Sequence, residues 1–197
     1  MTSAHGKPRL VVGISGSSAP QLGIAMLRAL AEAGTVETHL VISHGARRCI
    51  QLETDLSVGD VAAFADVVHN PADLAASISS GSFRTVGMAV VPCSARTLAA
   101  VATGNSDNLL TRAADVTLKE RRPLVLAVRE TPLSLIHIQN MKTVTLAGAT
   151  VLPPVPAFYH GPRTVDDILR QTAGKILDQF GIGHDLFVRW KTPEEDR

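Results

Sequence analysis

The chain has 197 residues, 45% hydrophobic and 19% charged, with 19 basic and 18 acidic side chains and a formal net charge of +1. That length and apolar fraction suit one globular domain with a sizeable core over 1–197, its ends at 1–8 and 191–197 flexible. So even a charge balance leaves no overall field for nucleic acid or an anionic membrane, and any anion must be held at a local site. In chain order, Met1 to Pro8 is too short and polar for a signal core, and no later apolar run reaches membrane-spanning length. The expected setting is the cytoplasm. Arg9-Leu-Val-Val-Gly-Ile-Ser15 then reads as a strand ending in a glycine and hydroxyl turn, followed by Leu22, Ala25, Met26, Ala29 and Leu30 at helical spacing.

Glu37 to Ser43 reads as a second strand and Ala46 to Glu53 as its returning helix. Met88-Ala-Val-Val-Pro-Cys93 is a third strand whose unbroken apolar character suits burial on both faces, the habit of parallel sheets. A helix from Ala95 to about Thr103 follows, then helical spacing between Asn108 and Glu120, then a buried strand from Leu124 to Val128. Ser134 to Ala147 reads as helix and Thr150 to Leu152 as a brief strand. Val165 to Phe180 is a closing amphipathic helix introduced by Thr164 and the acidic pair Asp166-Asp167. Strands alternating with helices predict a three-layer, doubly wound parallel α/β fold. The Pro-rich stretch Pro153 to His160 breaks that order, and such loops in compact domains often carry function.

In an open parallel sheet, ligands bind beyond the carboxyl ends of the strands. Those ends deliver Gly13, Ser15, Gly16, Ser17 and Ser18; then Ser43; then Cys93, Ser94 and Thr97; then Arg129 and Glu130. Hydroxyls, glycines and helix-start amides suit a phosphate ester, because unsatisfied N–H groups and the positive end of the helix dipole face the anion. Taken singly, Ser18 and Ser94 also read as ordinary N-caps, and Lys119-Glu-Arg-Arg122 as a solvated helix end. Arg129-Glu130, placed directly after a buried strand, favours the ligand edge over a surface ion pair. The first turn lacks the G-x-G-x-x-G spacing of a dinucleotide site. The seven histidines have no metal-ligand arrangement, His39 fits a packed, hydrogen-bonded strand position, and no metal is expected. Cys49 and Cys93 lack zinc spacing and read as reduced thiols.

The assembled motifs are GISGSSAPQLG (13–23), SHGARRCIQLETD (43–55), ISSGSF (78–83), PCSARTL (92–98), RAADVTLKERRPLVLAVRETPL (112–133), LPPVPAFYH (152–160) and DQFGI (178–182). Together, from about Arg9 to Trp190, they resemble the UbiX family of flavin prenyltransferases. The resemblance implies a flavodoxin-like or Rossmann-like fold, a dodecamer, and transfer of a dimethylallyl group from a dimethylallyl phosphate to N5 and C6 of reduced FMN. The product would serve a UbiD-type decarboxylase. By matching positions, FMN contacts would come from Gly16, Ser17, Ser18, Ser43, Ser94, Ala95, Arg96, Thr97 and Arg129. Lys119, Arg129, Glu130, Tyr159 and Lys175 would hold the isoprenoid phosphate, with Trp190 helping to close the site. Ser18 and Glu53 match positions tied to proton transfer, Lys119 and Glu130 are catalytic candidates, and Ser79 to Ser82 match a loop close to the active site. Fixed cations facing an allylic phosphate leaving group make the chemistry reasonable without a metal.

The chain departs from the family pattern at Ala19, where glycine is usual, at His44-Gly45, where Lys-Ala is usual, and at Lys175, where arginine is usual. Two alternatives therefore stand beside the transferase: a non-catalytic carrier of FMN or its prenylated form, and an FMN-dependent cysteine decarboxylase. The second shares the fold, but its PASANT-type motif is replaced here by Pro92-Cys-Ser-Ala-Arg-Thr97.

Overall fold

A computed structural model describes residues 6–190. The expected tail and most of the expected flexible N-terminal segment, residues 191–197 and 1–5, lie outside the described residues. Six strands follow the β-branched and apolar runs: β1 (Arg9–Ile14), β2 (Glu37–Ile42), β3 (Val67–His69), β4 (Gly87–Cys93), β5 (Leu124–Val128) and β6 (Thr150–Val151). They pair in parallel throughout, in the order β3-β2-β1-β4-β5-β6. Seven helices connect or follow them: α1 (Gln21–Ala33), α2 (His44–Glu53), α3 (Val58–Ala62), α4 (Ala95–Thr103), α5 (Leu109–Lys119), α6 (Leu135–Leu146) and α7 (Val165–Asp178).

Side chains alternate across a strand, so each strand feeds two cores. Leu10, Val12 and Ile14 of β1 pack with Leu27 and Leu30 of α1 and Ile176 of α7 on one face. Val11 of β1 and Met88 and Val90 of β4 pack with Leu98 of α4, Leu110 of α5 and Val144 of α6 on the other. β4 is buried along its whole length, as its sequence requires, and each fully buried valine or methionine of this kind contributes about 1.5–3 kcal/mol. The result is the three-layer, doubly wound architecture expected from the sequence.

The structure adds three short elements that the sequence does not signal, α3, β3 and a single 3-10 turn at Ser77–Ser79, all within 54–86. β3 has only three residues, too few for a period to register, and its place on the sheet is secured by side chains. His39, 3% exposed on β2, bonds through Nδ1 to His69 Nε2 at 2.9 Å and donates from Nε2 to Glu37 at 2.8 Å. Glu37 in turn accepts from Arg9 Nε at 3.2 Å. His39 is thus packed and hydrogen-bonded, as its position in the strand suggested. From β1 the chain turns to β2 on one side, and later places β4 on the other, so the crevice between the carboxyl ends of β1 and β4 is the topological switch point of the sheet.

Candidate functional site

That crevice is closed by serines. Ser15 Oγ donates to the Pro92 carbonyl at 3.0 Å and accepts from the Ser94 amide at 2.8 Å, tying the ends of β1 and β4 together. Ser17 Oγ donates to the Arg129 carbonyl at 2.7 Å, and the Arg129 amide donates to the Cys93 carbonyl at 3.1 Å, bringing the end of β5 into the same frame. Gly16 is needed by close approach: a Cβ there would stand 2.9 Å from the Gly45 Cα, so the turn lies directly against the start of α2.

Ser18 is not a helix cap. Pro20 occupies the N-cap of α1 and makes no side-chain cap bond. Ser18 Oγ instead donates to Glu53 Oε2 at 2.9 Å, and the Ala19 amide donates to the same oxygen at 2.8 Å. Gln21 Nε2 completes the clasp on the Glu53 carbonyl at 2.6 Å. The Ala19 amide can reach this carboxylate because its backbone is left-handed, with φ of 72°, a conformation that costs an L-residue with a Cβ about 1–2 kcal/mol.

Ser43 caps α2 by accepting from Ala46, and Ser94 caps α4 by accepting from Thr97 at 3.2 Å. Their Oγ atoms serve the third helical amide, leaving the first-turn amides of His44, Gly45, Ala95 and Arg96 without intrahelical acceptors. Two helix N-termini therefore flank the serine-lined crevice. Thr97 is buried and accepts from Ser94 Oγ, whereas the Arg96 side chain is 90% exposed and pairs with Asp107 at 3.7 Å. Burial pushes the Cys93 thiol up to about 12, so it is inert as a nucleophile, and burial followed by the charge of Glu53 raises Cys49 as well. Arg129 and Glu130 leave β5 half-buried and form no ion pair with each other among the described residues. Glu130 instead accepts from the Thr131 amide at 3.1 Å.

A second group lies along the strap from Pro153 to His160 and the segment that runs to Trp190. Trp190 meets Tyr159 edge-on with centroids 5.6 Å apart. Arg189 grips Asp178 through two bonds of 2.7 and 3.0 Å, and Lys175 stands 3.6 Å from the same carboxylate. Arg189, with His184 adding to it, holds the Asp178 carboxyl below the usual carboxylate range. Beside Tyr159, both ring nitrogens of His160 are shielded from solvent and lack a hydrogen-bond partner among the described residues. Sequence reasoning missed His160, Asp178 and Gln21. The motif LPPVPAFYH contained the first, and a single sequence held no signal for the other two.

Lys119 stands apart. It ends α5, which leads into the amino end of β5, while Arg129 follows the carboxyl end. The five residues of β5 put roughly 16 Å of strand between them. Lys119 pairs there with Glu120, and Arg122 donates to the carbonyls of Phe83 and Gly81, fixing the Ser79 to Ser82 loop at that edge. Within one copy of the chain, the fold gathers Gly16, Ser17, Ser18, Ser43, Glu53, Ser94, Thr97, Arg129 and Glu130 at the carboxyl edge, and leaves Lys119 at the other.

Comparison with known proteins agrees with this geometry. A family model described as Flavoprotein matches residues 1–177. The flavin prenyltransferase UbiX of Escherichia coli K12 is 54% identical over 185 residues, covering 93% of this chain and 98% of that protein. A crystal structure of AnUbiX (PadA1) in complex with FMN and dimethylallyl pyrophosphate superposes with a TM-score of 0.92 at 51% identity, covering 95% of this chain and 99% of the other. A dodecameric FMN-dependent UbiX-like decarboxylase from Escherichia coli O157:H7 gives 0.91 at 54% identity, covering 93% of this chain and 100% of the other. With a family model across most of its length and a prenyltransferase sharing more than half its residues, the chain belongs to the flavoprotein family and, within it, to the UbiX flavin prenyltransferases.

Proposed function

We propose that this protein joins a dimethylallyl group, delivered as its phosphate ester, to reduced FMN. The observation that carries this reading is the carboxyl edge itself, where two helix N-termini and a serine turn meet Arg129 and Glu130 at the sheet's switch point. The donor set fits a flavin phosphate. Gly16, Ser17, Ser43, Ser94 and Thr97 with the first-turn amides of α2 and α4 would bind it, as helix N-termini bind anions generally. Ala95 would pack beside the bound flavin. The outward Arg96 leaves only its amide for this task.

Reduced flavin supplies the electron-rich ring positions that the allylic carbon reaches, and the protein does the rest. Arg129, Tyr159, Lys175 and His160 would hold the isoprenoid phosphate, whose negative charge grows as the C–O bond breaks. The shielded nitrogens of His160 gain the partner they lack when an anion enters. Glu130 would carry a proton to the leaving phosphate, and Ser18, aimed by its bond to Glu53, would pass a proton at the flavin side. Trp190 over Tyr159 would exclude water. The relative solved with FMN and dimethylallyl pyrophosphate supports this assignment of ligands.

The same reading makes the protein a cytoplasmic homo-oligomer, dodecameric as its relative is, whose product passes to a UbiD-type decarboxylase. The test supplies dimethylallyl monophosphate, and in parallel the pyrophosphate, to protein and FMN reduced without oxygen, and weighs the flavin by mass spectrometry. A flavin heavier by one cyclised C5 unit, lost in Glu130→Gln, supports the transferase. Tight FMN binding with no adduct from either donor makes it a carrier instead.

A further inference from the structure

Helix α2, which carries Glu53 as its last residue, is thinly anchored by packing. Ala46 and Ile50 are its two buried side chains, its last turn holds no basic residue, and it ends at Thr54 in an extended conformation. The last four carbonyls of a helix have no intrahelical donor and must find one elsewhere. The Ile50 carbonyl accepts from the Thr54 amide at 3.1 Å and from the Thr54 hydroxyl at 2.8 Å. The Glu53 carbonyl accepts from Gln21 Nε2 at 2.6 Å. Gln21 is the first residue of α1, where side chains slope back toward the helix N-terminus, and that slope carries its amide across to the end of α2. α2 is thereby fixed at both ends against one turn, at its start by Gly16 against Gly45 and at its end by Gln21 on Glu53.

The bond to the carbonyl bears on the carboxylate of the same residue. A negative charge in the last turn of a helix stands at the unfavourable end of the helix dipole, and the Glu53 carboxylate keeps its place through Ser18 Oγ at 2.9 Å and the Ala19 amide at 2.8 Å. Glu53 is exposed, and a cavity of about 560 Å³ opens beside it, lined also by Gln21, Arg28 and Arg170. Neither arginine forms an ion pair among the described residues, so both compete with Ser18 for the carboxylate once its backbone is free to shift. We propose that Gln21 is a positioning residue for prenyl transfer: by fixing the Glu53 carbonyl it holds the Glu53 carboxylate on the Ser18 hydroxyl. This rests on the reading that the protein is a prenyltransferase in which Ser18, aimed by Glu53, passes a proton at the flavin side. A displacement of about 1 Å in such a pair is enough to cost about a hundredfold in rate.

The experiment compares the unaltered protein with Gln21→Met, which keeps the length of the side chain and removes its donor. With FMN reduced without oxygen, kcat for adduct formation should fall by about 10- to 100-fold. KM for dimethylallyl phosphate and the dissociation constant of FMN should stay within about twofold, since the lost interaction serves the chemical step and not ground-state binding. Gln21→His returns an N–H at similar reach and should recover most of the rate. Gln21→Asn, one methylene too short to reach the carbonyl, carries the same test should Gln21→Met fail to fold. Crystal structures of the unaltered protein and Gln21→Met supply a reading that needs no turnover: the Ser18 to Glu53 contact should be present in the first and broken in the second. An unchanged kcat, a loss of FMN affinity in step with the rate, a Gln21→His variant as slow as Gln21→Met, or Glu53 still on Ser18 in the variant crystal overturns the proposal. If the unaltered protein transfers no prenyl group, the enzyme reading fails, and the crystal comparison alone decides whether Gln21 holds Glu53 on Ser18.

Discussion

Ala19 is where residue chemistry and backbone geometry meet most directly. Its left-handed backbone puts its amide on Glu53, beside the Ser18 hydroxyl on the same oxygen. Glycine would adopt that conformation without the Cβ clash. Ala19→Gly should therefore stabilise the fold by about 1 kcal/mol, a rise of roughly 2–4 °C in a chain of this size. Scanning calorimetry checks it, and a lowered midpoint would mean that the turn tolerates the Cβ at no cost. The departure at position 19 was legible in the sequence as an alanine among expected glycines. Its consequence was not, because nothing in a sequence says that the amide of that residue must face a carboxylate 34 positions away.

Among the elements, the long periodic ones were legible and the short ones were not. The buried runs of β1, β4 and β5 and the helices α4, α5 and α7 follow directly from apolar spacing. β3 did not, since three residues held by His69 give no periodic signal. That anchor titrates. Burial, and then the nearby His39, lower the affinity of His69 for protons, while Asp73 opposes them. His39 itself faces Glu37, paired with Arg9, and the edge of the Phe83 ring. Because the folded pKa of His69 lies below its unfolded value, the unfolded chain takes up the proton first. The contribution is present above about pH 6.5 and is lost as pH falls from there through the lowered folded value. His69→Asn should flatten the stability curve between pH 7 and 5.5, as read by urea unfolding at each pH; an unaltered slope would remove His69 from the account. The α2 contact makes a separate test. Gly16→Ala would drive a Cβ against the Gly45 backbone, at a cost of about 1–3 kcal/mol. Flavin titration should show weaker FMN binding, whereas Gln at the exposed Lys142 should leave it unchanged.

At the scale of the molecule, the candidate site is divided. Composition and strand order pointed to the carboxyl edge, and the serines, Arg129 and Glu130 are there. Lys119 is not, and a linear sequence had no means of revealing it, because ten residues of helix-to-strand chain cross the full height of the sheet. If Lys119 acts on the isoprenoid phosphate, it does so from another copy. Lys119→Ala and Glu130→Gln should each abolish adduct formation alone, and mixed assemblies of the two, refolded together, should regain part of it. Mixtures as inactive as their components would remove Lys119 from the chemistry.

Trp190 is the chain's one tryptophan, and it sits two-thirds exposed against Tyr159. The protein thus carries its own optical reporter, positioned at the proposed phosphate pocket and with no second indole to obscure it. Dimethylallyl phosphate added without FMN should shift the emission to shorter wavelength as water leaves the ring, so occupancy of the donor pocket can be followed in a cuvette before any flavin chemistry begins. A spectrum indifferent to the ester would place the donor away from this strap.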